Sequence, residues 1–336
     1  MIRVGIIGSG FGLYGLLPAF RSIQGCEVVA ISGKKTDRLF AYCNELNLTN
    51  IFEDWKKMID TEKLDAIAIA MPPRIQHEIG MVAIEKNIHI FAEKPLAANV
   101  QQAQELYEQA EKHNIITAVD FIFPEIEEWQ AVKRMIDDEK YGTLQYISVD
   151  WDFFSYDIKN EIASWKTDVS EGGGALSFYF SHALYYLEYL VGNIVEVESK
   201  FVYSDNSLNG GEVGVDMVLT FDKGIVGDAH IHIDNNVTKR HRLQFVCKDA
   251  TITLQNEHDV TDNFCITVDN GTDTKVVSVK SDVSLLYNED ERARIVQKIA
   301  SRFIQGCENK KPIIPSFTNG LRVQYLIDKV RKSQII

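Results

Sequence analysis

Met1-Ile2-Arg3-Val4-Gly5-Ile6-Ile7-Gly8-Ser9-Gly10-Phe11-Gly12 opens the chain, and its reading decides the fold. Ile2 to Ile7 is an apolar run of strand type. The glycines follow at once, and Leu16, Leu17, Ala19 and Phe20 then recur at helical spacing. Strand, glycine turn and helix in this order begin a dinucleotide-binding βαβ unit. Gly8 and Gly10 allow the tight turn and the close approach of a pyrophosphate, which rests on the helix N-terminus. Phe11 and Gly12 complete the turn, and the third glycine of the usual spacing falls on Leu13, with Gly15 just beyond. A glycine pair alone marks only a turn. Its place between the first strand and the first helix is what points to a dinucleotide.

The second strand, Val28-Val29-Ala30-Ile31, ends in Ser32-Gly33-Lys34-Lys35. A chain that prefers NAD usually carries Asp or Glu here to hold the ribose 2'-hydroxyl. A hydroxyl, a glycine and two cations suit a 2'-phosphate instead, so NADP(H) is the expected cofactor and NAD the alternative. The competing account is that Lys34 and Lys35 decorate a solvated turn before the Thr36-Asp37 helix start. Leu64 to Ala70 is the next strand and ends in Met71-Pro72-Pro73, at the cofactor crevice. A helix with Ile79, Val82 and Ala83 on one face follows, and His77 near its start is expected beside the cofactor. The apolar run Ile88-His89-Ile90-Phe91 then leads into Ala92-Glu93-Lys94-Pro95, which puts Glu93 and Lys94 at a strand's carboxyl end. Ligands of open parallel sheets sit at that end. A lysine there can donate to a substrate oxygen as charge develops on it. A helix from about Val100 to Lys112 and a strand from Ile115 to Val119, ending in Asp120-Phe121, complete a doubly wound parallel sheet.

From about Tyr146 the pattern changes to period two. Gln145 to Phe154, Ile194 to Val202, Val213 to Phe221, Ile225 to Ile233, His241 to Val246 and Thr251 to Leu254 alternate, with turns such as Asp222-Lys223-Gly224 between them. This predicts a large open, mostly antiparallel sheet with one wetter face. One helix, Ala175 to Leu190, interrupts it after Glu171-Gly172-Gly173-Gly174, and helices from about Glu289 to Glu308 and Asn319 to Lys332 close the chain. The fold class is therefore α/β plus α+β: a dinucleotide-binding domain over residues 1–121 and a substrate and oligomerisation domain over 122–336.

Asp228, His230, His232 and Asp234 share one face of a strand, at spacing a metal could use. Neither an H-E-x-x-H pattern nor a cysteine cluster supports it, and polar residues on a solvated or interface face explain the alternation equally well. No metal is expected. The 336 residues are 45% hydrophobic with a formal net charge of -13, which argues against nucleic-acid and anionic-membrane partners. No stretch is apolar enough to span a bilayer, and Met1 leads straight into a strand rather than a signal peptide. Five scattered cysteines without a C-x-x-C pair read as free thiols of a reducing cytoplasm.

The chain resembles the glucose–fructose oxidoreductase/inositol dehydrogenase (Gfo/Idh/MocA) family over essentially its whole length. The resemblance rests on Gly8-Ser9-Gly10-Phe11-Gly12, Pro72-Pro73 with His77, Glu93-Lys94-Pro95, Gly172-Gly173-Gly174-Ala175-Leu176 with His182, and Pro315-Ser316-Phe317 with Gly320-Leu321. It implies a Rossmann domain, then an α+β domain whose open sheet builds homodimers or homotetramers. It also implies hydride transfer between a nicotinamide and a sugar, sugar nucleotide or polyol, with Lys94 touching cofactor and substrate and His182 moving the proton. The family commonly has an aspartate four residues before that histidine and a glycine two before it; here they are Phe178 and Phe180. A second frequent acid, three residues after the histidine, is Tyr185. Tyr179 and Tyr185 are the expected replacements as proton relays or hydrogen-bonding groups. Asp120, Trp151 and Trp165 join Tyr179 and His182 as expected substrate contacts, the tryptophans as flat faces for a sugar ring. Two alternatives stay open at this stage: a redox-silent dinucleotide-binding regulator, which the lost aspartate permits, and a glycosidase or lyase that uses bound NAD(P) for transient oxidation.

Overall fold

The computed structural model describes residues 1–205, 207–280 and 290–334. The chain forms two compact units: Met1–Ile122 with Ser284–Gln324, and Phe123–Val283 with Tyr325–Ile336.

The first unit is built on six parallel strands, β1 (Ile2–Ile7), β2 (Cys26–Ser32), β3 (Ile51–Phe52), β4 (Ala66–Ile69), β5 (His89–Ala92) and β6 (Thr117–Val119), in the order β3-β2-β1-β4-β5-β6. The order reverses beside β1, which opens the crevice that doubly wound sheets use for ligands. Its helices are α1 (Leu17–Arg21), α2 (Asp37–Glu45), α3 (Trp55–Thr61), α4 (Pro73–Glu85) and α5 (Val100–Lys112). The starts follow local chemistry. Thr36, Asp54 and Asn99 accept from backbone N–H groups as N-caps of α2, α3 and α5, and Pro73 stands at the first position of α4. The two-residue β3 carries no pattern that the sequence could reveal.

The second unit begins with α6 (Glu127–Asp137) and carries eight strands. These are β7 (Leu144–Asp152), β8 (Ile194–Val202), β9 (Gly214–Phe221), β10 (Val226–His232), β11 (Arg240–Cys247), β12 (Thr251–Asn256), β13 (Cys265–Asp269) and β14 (Thr274–Val277). Their order is β14-β13-β12-β11-β7-β10-β9-β8, all antiparallel except for β7 beside β10. Burial alternates along them, as the period-two pattern requires. The helical stretch from 175 opens as a wide turn, Ala175–Phe180, and continues as α8 (Ser181–Leu190), preceded by the short α7 (Tyr156–Lys159). Among the described residues, no helix is long and apolar enough to cross a membrane.

The expected division at 121/122 needs one correction. Helix α9 (Arg292–Asn309) and the first half of α10 (Phe317–Lys332) belong to the first unit, not the second. Phe303 of α9 meets Phe20 and Phe91 edge to face, at 6.3 and 5.8 Å between ring centroids. Val119 N–H donates to the Pro315 carbonyl and Phe317 N–H to Thr117 Oγ1, which ties the segment to β6. An amphipathic helix records that it buries a face, but not which sheet receives it. The expected start at Glu289 lies outside the described residues.

One buried ion pair fixes the loop that launches the helix at 175. Glu212, with its side chain inaccessible to solvent, accepts from Arg331 Nη2 at 3.1 Å and from Leu176 N–H at 3.1 Å, and Arg331 also donates to Ser177 Oγ at 3.0 Å. Gly174 sits at φ +88°, and a Cβ there would lie 2.4 Å from Glu212 Oε1. Only glycine lets the carboxylate reach the helix start. We expect Arg331→Met to cost about 3 kcal/mol in urea unfolding, because it strands a buried charge and also removes the guanidinium that lies 5.6 Å over the Phe201 ring. A loss within about 0.5 kcal/mol, the range of an ordinary surface substitution, would show that Glu212 does not depend on the arginine.

Candidate active site

In the first unit, β5 and β6 pair in register with Ala92 opposite Val119, so the next residues, Glu93 and Asp120, come side by side. Their carboxyls are hydrogen-bonded to each other in burial. Burial pushes Asp120 well above the ordinary carboxylate range, and the neighbouring Glu93 adds to it. Burial also raises Glu93, against the opposing pull of Lys94. Two acids in such a setting do not both ionise, and the pair holds a proton. Arg292, gripped at 2.9 and 2.6 Å by both oxygens of Asp290, faces the pair and lies 4.3 Å over the ring of Phe11.

The loop that carries Lys94 is clamped from α4. Gln76 is 1% exposed, and its Nε2 donates to the carbonyls of Glu93 (2.7 Å), Leu96 (3.0 Å) and Pro95 (3.2 Å). Its Oε1 accepts from Glu93 N–H at 3.1 Å. His77, one residue on, turns instead to Glu105 of α5, with Nε2 3.0 Å from the carboxylate. Met71 and Pro72 lead into α4, with the Pro72 carbonyl accepting from Gln76 N–H. At the other end of the crevice Gly8 adopts φ +125°, and a Cβ on it would lie 2.4 Å from the Ala70 carbonyl; around Gly10 an added Cβ would meet nothing. Leu13, at the missing third glycine, is a core residue, and the ring of Phe11 lies over Gly15. Ser32 is buried at the end of β2 while Lys34 and Lys35 are exposed. Arg38, from the first turn of α2, stacks its guanidinium 4.1 Å over Tyr14.

In the second unit the wide turn and α8 carry the other expected residues. His182 is buried and meets Phe123 edge to face at 5.1 Å. A run of half-buried rings leads away from Phe123: Trp151 at 5.6 Å, then Phe153, Tyr179, Phe178 and Trp165, each 4.5–5.9 Å from the last. Tyr179 is hydrogen-bonded to Ser155, and burial with nearby Asp157 drives its hydroxyl above the ordinary phenol range. Tyr185 is buried on α8. Phe178, where the aspartate is missing, carries the Lys166 ammonium 5.3 Å over its ring, and Lys166 pairs with Asp157 at 3.3 Å.

Residues 2–121 match the oxidoreductase family with an NAD-binding Rossmann fold, and residues 129–253 match the GFO/IDH/MocA C-terminal domain. The chain belongs to the Gfo/Idh/MocA oxidoreductase family. An oxidoreductase of Synechocystis sp. is 23% identical over 99% of this chain and 94% of its own. A levoglucosan dehydrogenase in complex with NADH and levoglucosan has a TM-score of 0.83 at 19% identity, covering 99% of this chain and 96% of that one. KijD10, a 3-ketoreductase from Actinomadura kijaniata in complex with NADP and TDP-benzene, has a TM-score of 0.80 at 19% identity, covering 99% and 98%. At such identities the structural likeness speaks to the fold alone. Family membership makes the chain an NAD(P)-dependent oxidoreductase.

Within this Gfo/Idh/MocA chain the residues that sequence reasoning missed are the supporting ones. Gln76, Arg292 and Arg38 left no signal beyond being polar, since each gains its meaning from a distant partner. Asp120, expected against substrate, is 2% exposed and engaged with Glu93. The strand pattern of Asp228, His230, His232 and Asp234 divides: Asp228 accepts from Tyr146 and Asp234 from Ser204, while His230 lies 2.6 Å from Asp216 and 3.1 Å from Asp152. The hydrogen bond to Asp152 leads in raising the His230 imidazole to about 9.

His241, on the opposite face, behaves the other way. It stacks on Trp151 at 4.3 Å, 3° from parallel, with Tyr186 Oη 3.0 Å from its Nε2, and burial holds its pKa at about 3. Below an ordinary value near 6.5 the unfolded chain takes up a proton that the folded chain refuses, so stability is lost as pH falls from about 6.5 towards 3. In urea unfolding, the advantage of wild type over His241→Phe is expected to be constant above about pH 7 and to shrink across that acid window. A difference independent of pH would mean that the imidazole titrates as it does in water.

Proposed function

We propose that the chain transfers hydride between NADP(H) and a carbinol carbon of a sugar, sugar nucleotide or polyol. What supports this most is the position of Lys94, at the carboxyl end of β5, on a loop held by four hydrogen bonds to Gln76 and backed by the Glu93–Asp120 pair. The dinucleotide fits the residues present. Around Gly10 there is open space where a pyrophosphate needs close approach to backbone, and Gly8 makes the turn that no other residue could. Ser32, Lys34 and Lys35 end β2 without an acid, and Arg38 adds a cation one helical turn further on. That charge balance favours a 2'-phosphate over a free ribose hydroxyl.

When bound, the nicotinamide supplies the hydride acceptor or donor. Lys94 donates a hydrogen bond to the substrate oxygen and stabilises the charge that builds there. His182 takes the hydroxyl proton in oxidation and returns it in reduction, with Tyr185 beside it on α8 as a hydrogen-bonding group. Tyr179, whose phenol stays protonated, serves as a donor to a sugar hydroxyl. The partly exposed rings from Trp151 to Trp165 offer flat apolar faces of the kind that sugar rings stack on. A levoglucosan dehydrogenase bound to levoglucosan and a dTDP-3,4-didehydro-2,6-dideoxy-alpha-D-glucose 3-reductase of Streptomyces violaceoruber, among the relatives, are consistent with the proposal.

Two substitutions test it. Lys94→Ala is expected to lower kcat on a panel of keto-sugars and polyols by about a hundredfold or more, with circular dichroism unchanged. Full turnover in that variant would remove Lys94 from the chemistry. Replacing Lys34 and Lys35 together by Ala is expected to weaken NADPH by about tenfold, the worth of one charge-assisted hydrogen bond, and NADH much less. Equal losses by tryptophan quenching would show that the turn does not read the phosphate.

A further inference from the structure

The open face of the second sheet holds a cluster that the redox chemistry does not use. We propose that Asp152, His230 and His232 form a site for one borderline divalent transition-metal ion of the Zn2+ class. One donor atom from each of the three lies within 4.8 Å of the others. The set is assembled by strand register: His230 and His232 are two apart on β10, and Asp152 on the parallel neighbour β7 is directly opposite His232. Two imidazoles and a carboxylate suit Zn2+, Co2+ or Ni2+, whereas Mg2+ and Ca2+ prefer oxygen alone.

The surroundings are organised as a ligand shell would require. Asp216 lies 2.6 Å from Nδ1 of His230, which fixes the ring and turns Nε2 towards Asp152 Oδ1 at 3.1 Å. A carboxylate behind a ligating histidine is the usual second partner of such sites. Arg240 holds the other oxygen of Asp152 at 2.7 Å, which leaves Oδ1 to His230 at 3.1 Å and, more weakly, to Asn235 Nδ2 at 3.4 Å. His232 occupies space that only a glycine leaves: a Cβ on Gly214, its cross-strand partner on β9, would lie 2.1 Å from the ring's Cδ2 and 2.7 Å from Nε2. That Nε2 is shut off from solvent and has no hydrogen-bond partner among the described residues. A buried polar atom left so costs about 1–3 kcal/mol, and a coordinated ion would supply its partner.

Metal bonds of about 2.0–2.1 Å bring tetrahedral donors to roughly 3.3 Å of one another. The His230–Asp152 pair is already that close, at 3.1 Å, so closing the site asks mainly for His232 to move in from a separation of no more than 4.8 Å. The ion would take the place of the proton that His230 shares with Asp152, with one proton released, and water would complete its coordination. The result is a cross-link between β7 and β10, which pair in parallel.

Calorimetric titration of the tag-free full chain with ZnCl2 tests this, with MgCl2 as comparison. The expected result is one equivalent of Zn2+ and no Mg2+ heat, with binding weakened by about a hundredfold in His232→Ala and by about 10–100-fold in Asp216→Asn. Zn2+ binding that is absent in wild type, unchanged in His232→Ala, or matched by Mg2+ would overturn the site. Because a variant can misfold, Co2+ titration of the wild type gives a second reading. Visible d–d bands that Zn2+ displaces, without a thiolate charge-transfer band, support nitrogen and oxygen ligands. A thiolate band would place the ion on the cysteines and end the proposal.

Discussion

Parallel pairing of β5 with β6 ends two neighbouring strands on carboxylates, and the first unit's chemistry follows from that one register. Ala92 opposite Val119 sets Glu93 and Asp120 beside each other, with Asp120 buried. Charge repulsion and burial together keep a proton on the pair, and the charge that remains is answered by Lys94 along the chain and by Arg292 from α9. A loop with this charge balance could still wander. Gln76 prevents it by bonding backbone groups on both sides of Lys94. The backbone that carries the lysine is therefore held on both sides of it.

The second unit uses the two faces of its strands for opposite purposes. On β7, Trp151 joins the aromatic layer and the next residue, Asp152, joins the ionic face; on β11, His241 and Arg240 divide in the same way. The consequence shows in two histidines of one sheet. His241, among rings, is held neutral near 3, and His230, between two carboxylates, is held charged up to about 9. Neither value belongs to histidine as a residue type. Each records which side of a pleat the side chain took, and a shift of one residue in register would exchange them.

Much of this was legible in the sequence because it depends on local pattern. The glycine turn after an apolar run, the alternation of strands and helices, and the period-two runs after Tyr146 each report on neighbours a few residues away. Lys94 stood out for the same reason, at the end of an apolar run, whereas His182 was named only through the family resemblance. What could not be read depends on partners far along the chain. Arg331 meets Glu212 across more than a hundred residues, and α9 returns to the first sheet although its own amphipathic pattern would fit either. Asp120 was visible as an acid at a strand end, but only the pairing of β5 with β6 shows that it faces Glu93. The short β3 and the late strands β13 and β14 gave too few alternations to stand out from turns.

The missing aspartate at Phe178 is best understood through charge rather than motif position. The aromatic ring there carries the ammonium of Lys166, and Asp157 answers that charge. In the first unit, a buried proton is kept beside Lys94 by Glu93 and Asp120 irrespective of residue 178. Burying two carboxyls costs stability, and an apolar pair would serve folding better. Perturbed acids of this kind collect where chemistry needs a proton held at a chosen place. A chain that only bound a dinucleotide would gain nothing from bearing that cost next to the lysine at the crevice. The pair therefore weighs towards turnover and against a redox-silent role.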